Sequence, residues 1–275
     1  MPTPRTNEHL QTFSAAVVTG GSSGLGKSFI RLLQTGNPGL LICNLSRRNP
    51  CADLAENSAG KVRHFSCDLS RSGEIATAAD QVIAAIASAA PSGRVLLINN
   101  SGIGGFGRFP APSAERQLEI IDVNVRAVVD LTARLLPCLR GRGGAIINVA
   151  SVVGYVPTPF CATYGASKAF LLNWSIALAE EMRGTGVHVL AVSPGTTQTE
   201  FFSGTGAASP ESIARRGMSP DDVVREALGA LADGRTTVVP GWRNRLATSV
   251  GSLLPRALLA RISRGAMERR VPLSP

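Results

Sequence analysis

A tyrosine and a lysine placed four residues apart are the pair of side chains best suited to proton transfer. Tyr164 and Lys168 lie in a stretch of helical periodicity, so they share one face of the predicted helix. The ordinary pKa of a phenol is about 10, and a neighbouring ammonium group lowers it by stabilising the phenolate. The alternative is an ordinary surface pair on a helix. Only three of the 28 basic residues are lysines, which favours a specific role for Lys168.

A glycine-rich segment near the N-terminus has the composition of a phosphate-binding loop. It reads Thr-Gly-Gly-Ser-Ser-Gly-Leu-Gly over residues 19–26, between an apolar run and an amphipathic stretch. Glycines let the backbone approach a pyrophosphate, and the N-terminus of the following helix supplies N–H donors with a partial positive charge. A tight turn would also use glycines, but the position between a strand and a helix favours dinucleotide binding.

Hydrophobic patterning predicts the elements that must position these residues. Short, continuous apolar runs are typical of strands buried on both faces of a parallel sheet. Amphipathic stretches alternate with them, which predicts a doubly wound α/β sheet of about seven strands with helices on both faces. We expect one domain over residues 13–240, preceded by a flexible segment over 1–12. The apolar runs cover 13–19, 40–46, 62–67, 94–99, 145–150, 187–193 and 236–239, and the helical stretches begin near 24 and 220 or cover about 72–89, 113–139 and 161–183.

Four segments carry motifs in a fixed order and spacing. They are the glycine loop at 19–26, Asn-Asn-Ser-Gly at 99–102, Tyr-Gly-Ala-Ser-Lys at 164–168, and Pro-Gly with a later Thr at 194–199. Together they resemble the short-chain dehydrogenase/reductase family, in a branch with an extended C-terminus; Ser101 stands where the family motif has alanine. The resemblance covers roughly residues 13–240. It implies a Rossmann-type fold and hydride transfer between a nicotinamide cofactor and a carbonyl or alcohol group.

The resemblance also implies a catalytic group made of Ser151, Tyr164, Lys168 and Asn124. The serine hydroxyl would polarise a substrate carbonyl, and the tyrosine would donate the proton. The lysine would lower the pKa of the tyrosine, with help from the positive charge of an oxidised nicotinamide, and hold the nicotinamide ribose. The asparagine would hold a water that relays protons to the lysine. The implied reaction is a reversible reduction of a ketone or aldehyde to an alcohol.

The end of the second predicted strand bears on the choice of cofactor. It reads Ser46-Arg47-Arg48, and no acidic residue follows before Asp53. A carboxylate there would bind the ribose hydroxyls of NAD, whereas arginine attracts a 2′-phosphate. We therefore expect NADP(H) rather than NAD(H), with Arg47 as the main phosphate ligand. The full set of expected cofactor-binding residues is Thr19, Gly20, Ser22, Ser23, Gly24, Leu25, Gly26, Ser46, Arg47, Arg48, Asp68, Leu69, Asn100, Ser101, Gly102, Tyr164, Lys168, Pro194, Gly195, Thr197 and Thr199.

The candidate substrate pocket is mostly apolar, which fits a hydrophobic ketone or aldehyde. Residues 200–218, rich in Gly, Ser and Ala, are either a surface loop or a substrate lid; their position after a strand's carboxyl end favours a lid. Other chemistry on the same site would be reduction of a 3-oxoacyl thioester, epimerisation or dehydration. A regulatory protein that binds NADP without catalysis is the alternative from another class. The pocket candidates are Ile103, Phe106, Val153, Tyr155, Cys161, Thr196, Phe201 and Phe202.

The net charge of +9 is concentrated beyond the predicted domain, since residues 241–275 carry +6 of it. That segment has leucines and arginines at helical spacing, with Pro255 expected to break or kink the pattern. Packing over the substrate mouth or a partner subunit, peripheral contact with an anionic membrane, and a lightly ordered tail are all open. No recognition motif accompanies the charge, so we expect no nucleic acid as partner.

Composition and targeting signals bound the remaining expectations. Five scattered cysteines without metal-ligand spacing predict reduced thiols and no metal site. The polar N-terminus lacks the apolar region of a signal peptide, so we expect a cytoplasmic protein, peripheral to a membrane if the tail binds one. The helix around Tyr164 is apolar on most sides, and such a helix must be covered twice. In the family that helix commonly forms subunit contacts, which implies a homodimer or homotetramer.

Overall fold

The computed structural model describes residues 3–49, 61–251 and 253–268, which form a parallel sheet of seven strands with helices on both faces. This confirms the predicted fold class. The order of the strands is 3-2-1-4-5-6-7, and every pairing is parallel. The strands are β1 (Phe13–Thr19), β2 (Leu41–Ser46), β3 (Val62–Ser66), β4 (Arg94–Asn99), β5 (Gly144–Val149), β6 (Val187–Val192) and β7 (Thr237–Val238).

The helices follow the predicted alternation with the strands. A 3₁₀ turn follows β5 at Val152–Tyr155, and another precedes α7 at Glu200–Phe202. Ser219 caps α8, since its hydroxyl accepts a hydrogen bond from the Asp222 N–H at 3.1 Å. The helices are α1 (Pro4–Leu10), α2 (Gly24–Gly36), α3 (Ser72–Ala89), α4 (Ala114–Ile121), α5 (Ala127–Arg142), α6 (Ala162–Glu181), α7 (Pro210–Arg215), α8 (Pro220–Ala232), α9 (Trp242–Gly251) and α10 (Arg256–Glu268).

The sheet separates two hydrophobic cores, and this explains why its strands are apolar without alternation. Successive residues of a strand point to opposite faces. In β1, Ala15 and Val17 enter the core under α3 and α5, while Ala16 and Val18 enter the core under α2 and α8. A polar residue on either face would have to be buried, so the run stays hydrophobic.

The strand order reverses direction between β1 and β4. The chain winds outwards on one side through β2 and β3 and on the other through β5, β6 and β7. In such sheets a crevice opens at the carboxyl ends of the strands where the order reverses. The segments that carry the four sequence motifs follow β1, β4, β5 and β6, so they meet at this edge.

The first residues of the chain differ from their prediction. Residues 1–12 were expected to be flexible, but Pro4–Leu10 forms helix α1. Its N-cap is Thr3, whose hydroxyl accepts a hydrogen bond from the Thr6 N–H at 3.2 Å. Thr6 and Leu10 are one helical turn apart and both are buried, so the helix has a packed face despite its polar composition. Flexibility is therefore the wrong expectation for residues 4–10.

A single turn of π-helix joins α4 and α5. The sequence predicted one helix over about 113–139, and the structure has Asp122–Arg126 in the wider π geometry inside that span. The extra residue in the turn changes which side chains face inward. Val123 and Asn124 are buried there, and this places Asn124 inside the site described below.

The C-terminal segment folds as two helices rather than one. Helix α9 ends at Gly251 and α10 begins at Arg256, directly after Pro255, so the predicted break occurs where expected. Within the described ranges, no helix has the length and apolar character needed to cross a membrane.

Candidate active site

A cavity of about 560 Å³ opens at the carboxyl ends of β1, β2, β4, β5 and β6. Its size is within the range of pockets that bind small molecules and cofactors. The residues that line it come from every one of the predicted motif segments, including Gly20, Ser101, Tyr164 and Pro194. The fold therefore brings the motifs to one site, as the sequence predicted.

Tyr164 and Lys168 extend into this cavity from the first turns of α6. Both side chains are nearly buried, at 8% and 3% exposure. The Lys168 ammonium donates a hydrogen bond to the Val149 carbonyl at 2.8 Å and lies 6.0 Å from the centre of the Tyr164 ring. The last residue of β5 thus fixes the position of the lysine, and the shared helical face keeps the lysine close to the tyrosine.

Burial controls the protonation of both groups. It raises the pKa of Tyr164 above 10, and a hydrogen bond with Ser151 opposes the shift only in part. Burial lowers the pKa of Lys168 from 10.5 to about 8. In the protein alone, desolvation of the phenolate is the largest influence on the pKa of Tyr164; the lowering expected from Lys168 together with an oxidised nicotinamide stays a prediction. At neutral pH the tyrosine is therefore protonated and able to donate.

Ser151 is the second residue after β5 and lines the same cavity. Its hydroxyl donates to the Pro194 carbonyl at 3.4 Å and accepts from the Val153 N–H at 3.4 Å. Both bonds are long, so the hydroxyl can exchange one of them for a bond to a ligand. The serine and the tyrosine approach the cavity from neighbouring elements and share a hydrogen bond.

Asn124 lies behind the lysine rather than on the cavity wall. Its amide group donates to the Ile103 carbonyl and to the Ser167 hydroxyl, both at 3.0 Å, while its oxygen accepts from the Ile103 N–H at 2.9 Å. Both amide hydrogens are used, and the oxygen keeps one further acceptor position. A Cβ on Gly102 would lie 3.2 Å from the Lys168 nitrogen and 3.4 Å from this oxygen, so glycine keeps the space between them open.

The glycine loop has the geometry of a phosphate cradle. Gly20 has φ +71°, and a Cβ there would lie 2.7 Å from the Ser101 hydroxyl. A Cβ on Gly26 would collide with the Gly20 carbonyl oxygen, so the helix could not begin so close to the strand with any other residue. Ser22, Ser23, Gly24 and Leu25 line the cavity in front of the N-terminus of α2.

Two residues of the glycine motif that were predicted to bind the cofactor, Thr19 and Gly26, do not line the cavity. Thr19 is 3% exposed, and its hydroxyl accepts from the N–H groups of Asn100 and Ser101 at 2.9 and 3.0 Å. It thus fastens the loop after β4 to the end of β1. Gly26 is buried in the close contact between α2 and that loop. These two residues were predicted to bind the cofactor, but in the structure they support the cradle from outside the cavity.

The end of β2 places two arginines on the cavity. Arg47 and Arg48 both line it together with Ser46, and Arg48 donates to the Ser23 hydroxyl at 3.4 Å. Asp68 lines the same part of the cavity, and its carboxylate accepts from the N–H and hydroxyl of Ser70 at 2.9 and 2.8 Å. Asp53, the first acidic residue after the arginines, lies outside the described residues. The other predicted cofactor-binding residues on the wall are Leu69, Asn100, Gly102, Gly195, Thr197 and Thr199.

The substrate end of the cavity is lined largely by apolar side chains. Phe201 lies beside the catalytic candidate Tyr164, with 5.4 Å between ring centres, and Phe202 packs on Phe106 at 6.1 Å. Two predicted pocket residues are corrected. Tyr155 packs on Ala150, Leu172 and Ala191, and Cys161 packs in the cluster behind Tyr164. Six of the predicted residues do line the wall: Ile103, Phe106, Val153, Thr196, Phe201 and Phe202.

The wall also contains residues that were not predicted, and Met267, Arg116 and Glu119 are the ones that bear on the substrate end. Met267 of α10 is 9% exposed and packs in one cluster with Tyr164, Phe106 and Phe202. It lies more than a hundred residues after the tyrosine, and only the helical pattern of the tail could have indicated a buried face. Arg116 and Glu119 form an ion pair on the wall at 2.7 Å, and Arg116 also donates to the Gly104 carbonyl at 3.0 Å.

Comparisons with known proteins show the family to which this chain belongs. The family model described as short chain dehydrogenase matches residues 14–209. The chain belongs to the short-chain dehydrogenase/reductase family. It is accordingly an oxidoreductase that acts on CH–OH and C=O groups with a nicotinamide cofactor.

The chain is similar in sequence or structure to several individual members of the family. Sulfoacetaldehyde reductase 2 from Chromohalobacter salexigens is 32% identical over 67% of this chain and 73% of its own length. A short-chain dehydrogenase from Sphingobium yanoikuyae, solved with NADPH, is 26% identical with a TM-score of 0.74, over 96% of this chain and 98% of its own. A 3-ketoacyl-(acyl-carrier-protein) reductase from Brucella melitensis, solved with NADH, is 25% identical with a TM-score of 0.70, over 84% and 98%.

Proposed function

We propose that this dehydrogenase uses NADPH to reduce a ketone or aldehyde on a hydrophobic substrate, and that the reaction is reversible. The observation that carries the proposal is the meeting of a protonated Tyr164, Ser151 and Lys168 in a cavity with an apolar wall and two arginines at the end of β2. The first three groups suit proton donation to a carbonyl oxygen. The arginines suit a cofactor with a phosphate on its ribose.

The residues of the chain fit the cofactor by the shape of the cradle. Side chains at Gly20 or Gly102 would fill the space that a dinucleotide needs, and the open N-terminus of α2 faces that space. We infer that Ser22, Ser23 and Gly24 hold the pyrophosphate, and that Arg47 with Arg48 holds the 2′-phosphate. Lys168 holds the ribose next to the reacting ring. When bound, the cofactor supplies the hydride.

The proton follows a route through side chains of this chain. The Ser151 hydroxyl donates a hydrogen bond to the substrate carbonyl oxygen and stabilises the negative charge that develops there. Tyr164 transfers its hydroxyl proton to the same oxygen; with the hydride on the carbonyl carbon this completes the alcohol, and the tyrosine becomes a phenolate. The Lys168 ammonium stabilises that phenolate. The space next to Asn124 and Gly102 lets water return a proton to this pair.

The preference for NADPH rests on charge at the end of β2. The described end of β2 brings two guanidinium groups and no carboxylate to the cavity, while Asp68 after β3 adds one carboxylate to the same part of the wall. Of the two related structures described above, one was solved with NADPH and the other with NADH. The local charge, rather than family membership, therefore supports the preference.

An apolar substrate is favoured by Phe201, Phe202, Phe106 and Met267 around the tyrosine. The Arg116–Glu119 pair adds no net charge to the wall, and its guanidinium is already bonded to Glu119 and Gly104. Among the described wall residues at this end, the only cations are Arg116, which is paired with Glu119, and Lys168 of the catalytic group. We propose that residues 200–218, which include Phe201 and α7, act as a lid on this end, and that Ser193-Pro194 with β6 forms its base.

A second candidate is reduction of a 3-oxoacyl thioester. The Brucella melitensis relative named above is a 3-ketoacyl-(acyl-carrier-protein) reductase, and an acyl chain would suit the apolar wall. The acyl chain of a carrier-bound substrate requires a cavity that is open along its whole length. Met267 of α10 instead closes one side of the cavity. The free carbonyl compound is therefore the first proposal.

The test is an NADPH-oxidation screen over ketones and aldehydes graded by size and chain length, with 3-oxoacyl thioesters and sulfoacetaldehyde included. We expect turnover to be greatest for hydrophobic ketones or aldehydes. Turnover confined to 3-oxoacyl thioesters would replace the first proposal with the second. A clear preference for sulfoacetaldehyde would contradict an apolar substrate.

We also propose that the enzyme is a homodimer or homotetramer. Apolar side chains of α4, α5 and α6 remain exposed on one side of the molecule, and Ile121, Val125 and Phe170 line an apolar groove there. Clusters of exposed apolar residues mark interaction surfaces. The apolar helix α6 packs on the sheet with one face, so a second subunit would cover the other.

A further inference from the structure

We propose that α9 and α10 form a docking surface for an anionic lipid bilayer. Their outer side combines large exposed apolar side chains with exposed arginines that form no salt bridge with another described residue. Interfacial helices of peripheral proteins have this combination, because apolar side chains enter the lipid while cations bind anionic headgroups.

Helix α9 has two opposite faces. Its packed face is marked by Asn244, which contacts Gly195 and donates to the Pro240 carbonyl at 2.7 Å, and by Gly251, which lies against Val156. The opposite face carries an apolar stripe with a spacing of four residues. It consists of Trp242, Leu246 and Val250, which are 64%, 58% and 52% exposed.

Helix α10 continues the apolar surface beside its own packed face. Leu259, Ser263 and Met267 face inward: Leu259 is buried near Gly251, Ser263 donates to the Pro157 carbonyl at 2.6 Å, and Met267 reaches the active-site cavity. The next sector of the helix carries Leu258 and Ile262, which are 42% and 57% exposed. The connection between the helices exposes 83% of Leu253.

Charge distinguishes a lipid surface from a second copy of the chain. Arg243, Arg256 and Arg261 are exposed, and none forms a salt bridge with another described residue, whereas Arg245 and Arg264 pair with Glu226 and Glu268. A two-fold contact would place this cationic surface against itself, with like charges brought together. An anionic membrane instead neutralises the arginines while the apolar stripe enters the headgroup region.

Trp242 supports the same assignment. Its ring lies under the Arg243 guanidinium, 5.3 Å from ring centre to the central carbon. Tryptophan concentrates at membrane interfaces because its ring is apolar and its N–H is polar. An arginine at the same place can reach a lipid phosphate while the indole ring enters the lipid.

The test is co-sedimentation of the full chain with vesicles of phosphatidylcholine alone and with vesicles of equimolar phosphatidylcholine and phosphatidylserine. We expect binding to the anionic vesicles, weakened by added salt. Emission from Trp242, measured in a Trp174→Phe background that leaves one tryptophan, should shift to the blue on binding. Absence of binding to the anionic vesicles would overturn the proposal.

Two pairs of variants localise the surface. Arg256→Glu with Arg261→Glu should weaken binding by about 30-fold or more, from the usual electrostatic contribution of an arginine near such a surface, while Arg140→Glu with Arg183→Glu makes the same change in net charge elsewhere. Trp242→Ser should abolish binding, whereas Phe109→Ser, at a residue 76% exposed before α4, should not. Equal effects of tail and control variants would overturn the assignment. So would tail variants that dissociate an oligomer but still bind vesicles.

Discussion

At the scale of single residues, the raised pKa of Tyr164 gives the first prediction. Burial keeps the phenol protonated at neutral pH, which a proton donor in carbonyl reduction requires. Tyr164→Phe removes the proton and leaves the glycine loop and arginines intact. The rate of NADPH-dependent reduction should fall by about 10² to 10⁴, while NADPH binding, followed by its fluorescence, is retained. Turnover close to that of the unmodified enzyme would exclude the tyrosine as the acid.

The lowered pKa of Lys168 predicts a dependence of stability on pH. Burying the charged Lys168 costs free energy and so lowers the stability of the folded protein. This cost is fully present below pH 8, where the lysine is charged in both the folded and the unfolded state. It disappears as the pH rises to 10.5, where the unfolded lysine also loses its proton. The penalty is roughly 3 kcal/mol from the shift in pKa. Lys168→Met removes it, so the variant's stability relative to the parent should decline by about that amount between pH 8 and 10.5.

Denaturant unfolding of both proteins without cofactor at several pH values measures that difference. Loss of the hydrogen bond to Val149 adds a contribution that does not change with pH, so only the slope tests the pKa. A constant difference in the free energy of unfolding across this range would contradict the lowered pKa.

The arginines after β2 predict the selectivity for cofactor. Arg47→Ala removes a charged donor from the proposed 2′-phosphate site, and charged hydrogen bonds contribute about 1.5–3 kcal/mol. The KM for NADPH should therefore rise by about 10- to 100-fold, with the KM for NADH nearly unchanged. Arg63→Ala, on β3, is the control. An equal rise for both cofactors would indicate that Arg47 supports the fold of the loop and does not read the phosphate.

At the scale of elements, the strands and main helices were predictable because their patterns are local. The apolar run at 13–19 and the helix at 72–89 agree with β1 and α3 to the residue. The π turn at Asp122–Arg126 was not predictable, since it changes the register inside one amphipathic stretch. Helix α1 was missed because two buried residues, Thr6 and Leu10, are too few to make a visible periodicity.

The same distinction applies to the site. Tyr164 and Lys168 share a helix, so their proximity follows from spacing alone. Met267 reaches the tyrosine only because α10 folds back over the cavity, fixed by the hydrogen bond from Ser263 to Pro157. No local pattern specifies such a return. Packing of the whole fold also decides whether a predicted wall residue faces the cavity or the core. Tyr155 was predicted to line the pocket but packs on the core.

Helix α10 should limit the length of the substrate. Met267→Ala removes side-chain volume next to Tyr164 and enlarges the apolar end of the cavity. We expect kcat/KM to rise for the bulkier ketones in a graded series relative to the smaller ones. Leu258→Ala, on the exposed side of the same helix, is the matched control. A uniform loss across the series would indicate a stability effect and contradict a role in selecting substrates.

At the scale of the whole molecule, two surfaces expose apolar side chains, and they differ in charge. Residues 241–275 hold +6 of the net +9, and the described residues of α9 and α10 carry +4 of it, from five arginines and Glu268. The helices α4, α5 and α6 instead expose apolar side chains such as Leu118, Ile121 and Phe170. One surface is cationic and suits an anionic partner, while the other has the composition of a contact between identical subunits.

This difference between the two surfaces predicts which substitution should dissociate the oligomer. Phe170 is 40% exposed, stacks on Trp174 and lines the apolar groove beside Ile121. In a two-fold contact each copy would bring its own residue 170 close to the same surface, so Phe170→Glu places carboxylates in a desolvated contact. Light scattering after size exclusion should show an oligomer for the parent and a monomer for the variant. Phe109→Glu, at an exposed phenylalanine outside this groove, should leave the oligomer intact. A monomeric parent protein would exclude this surface as a stable subunit contact.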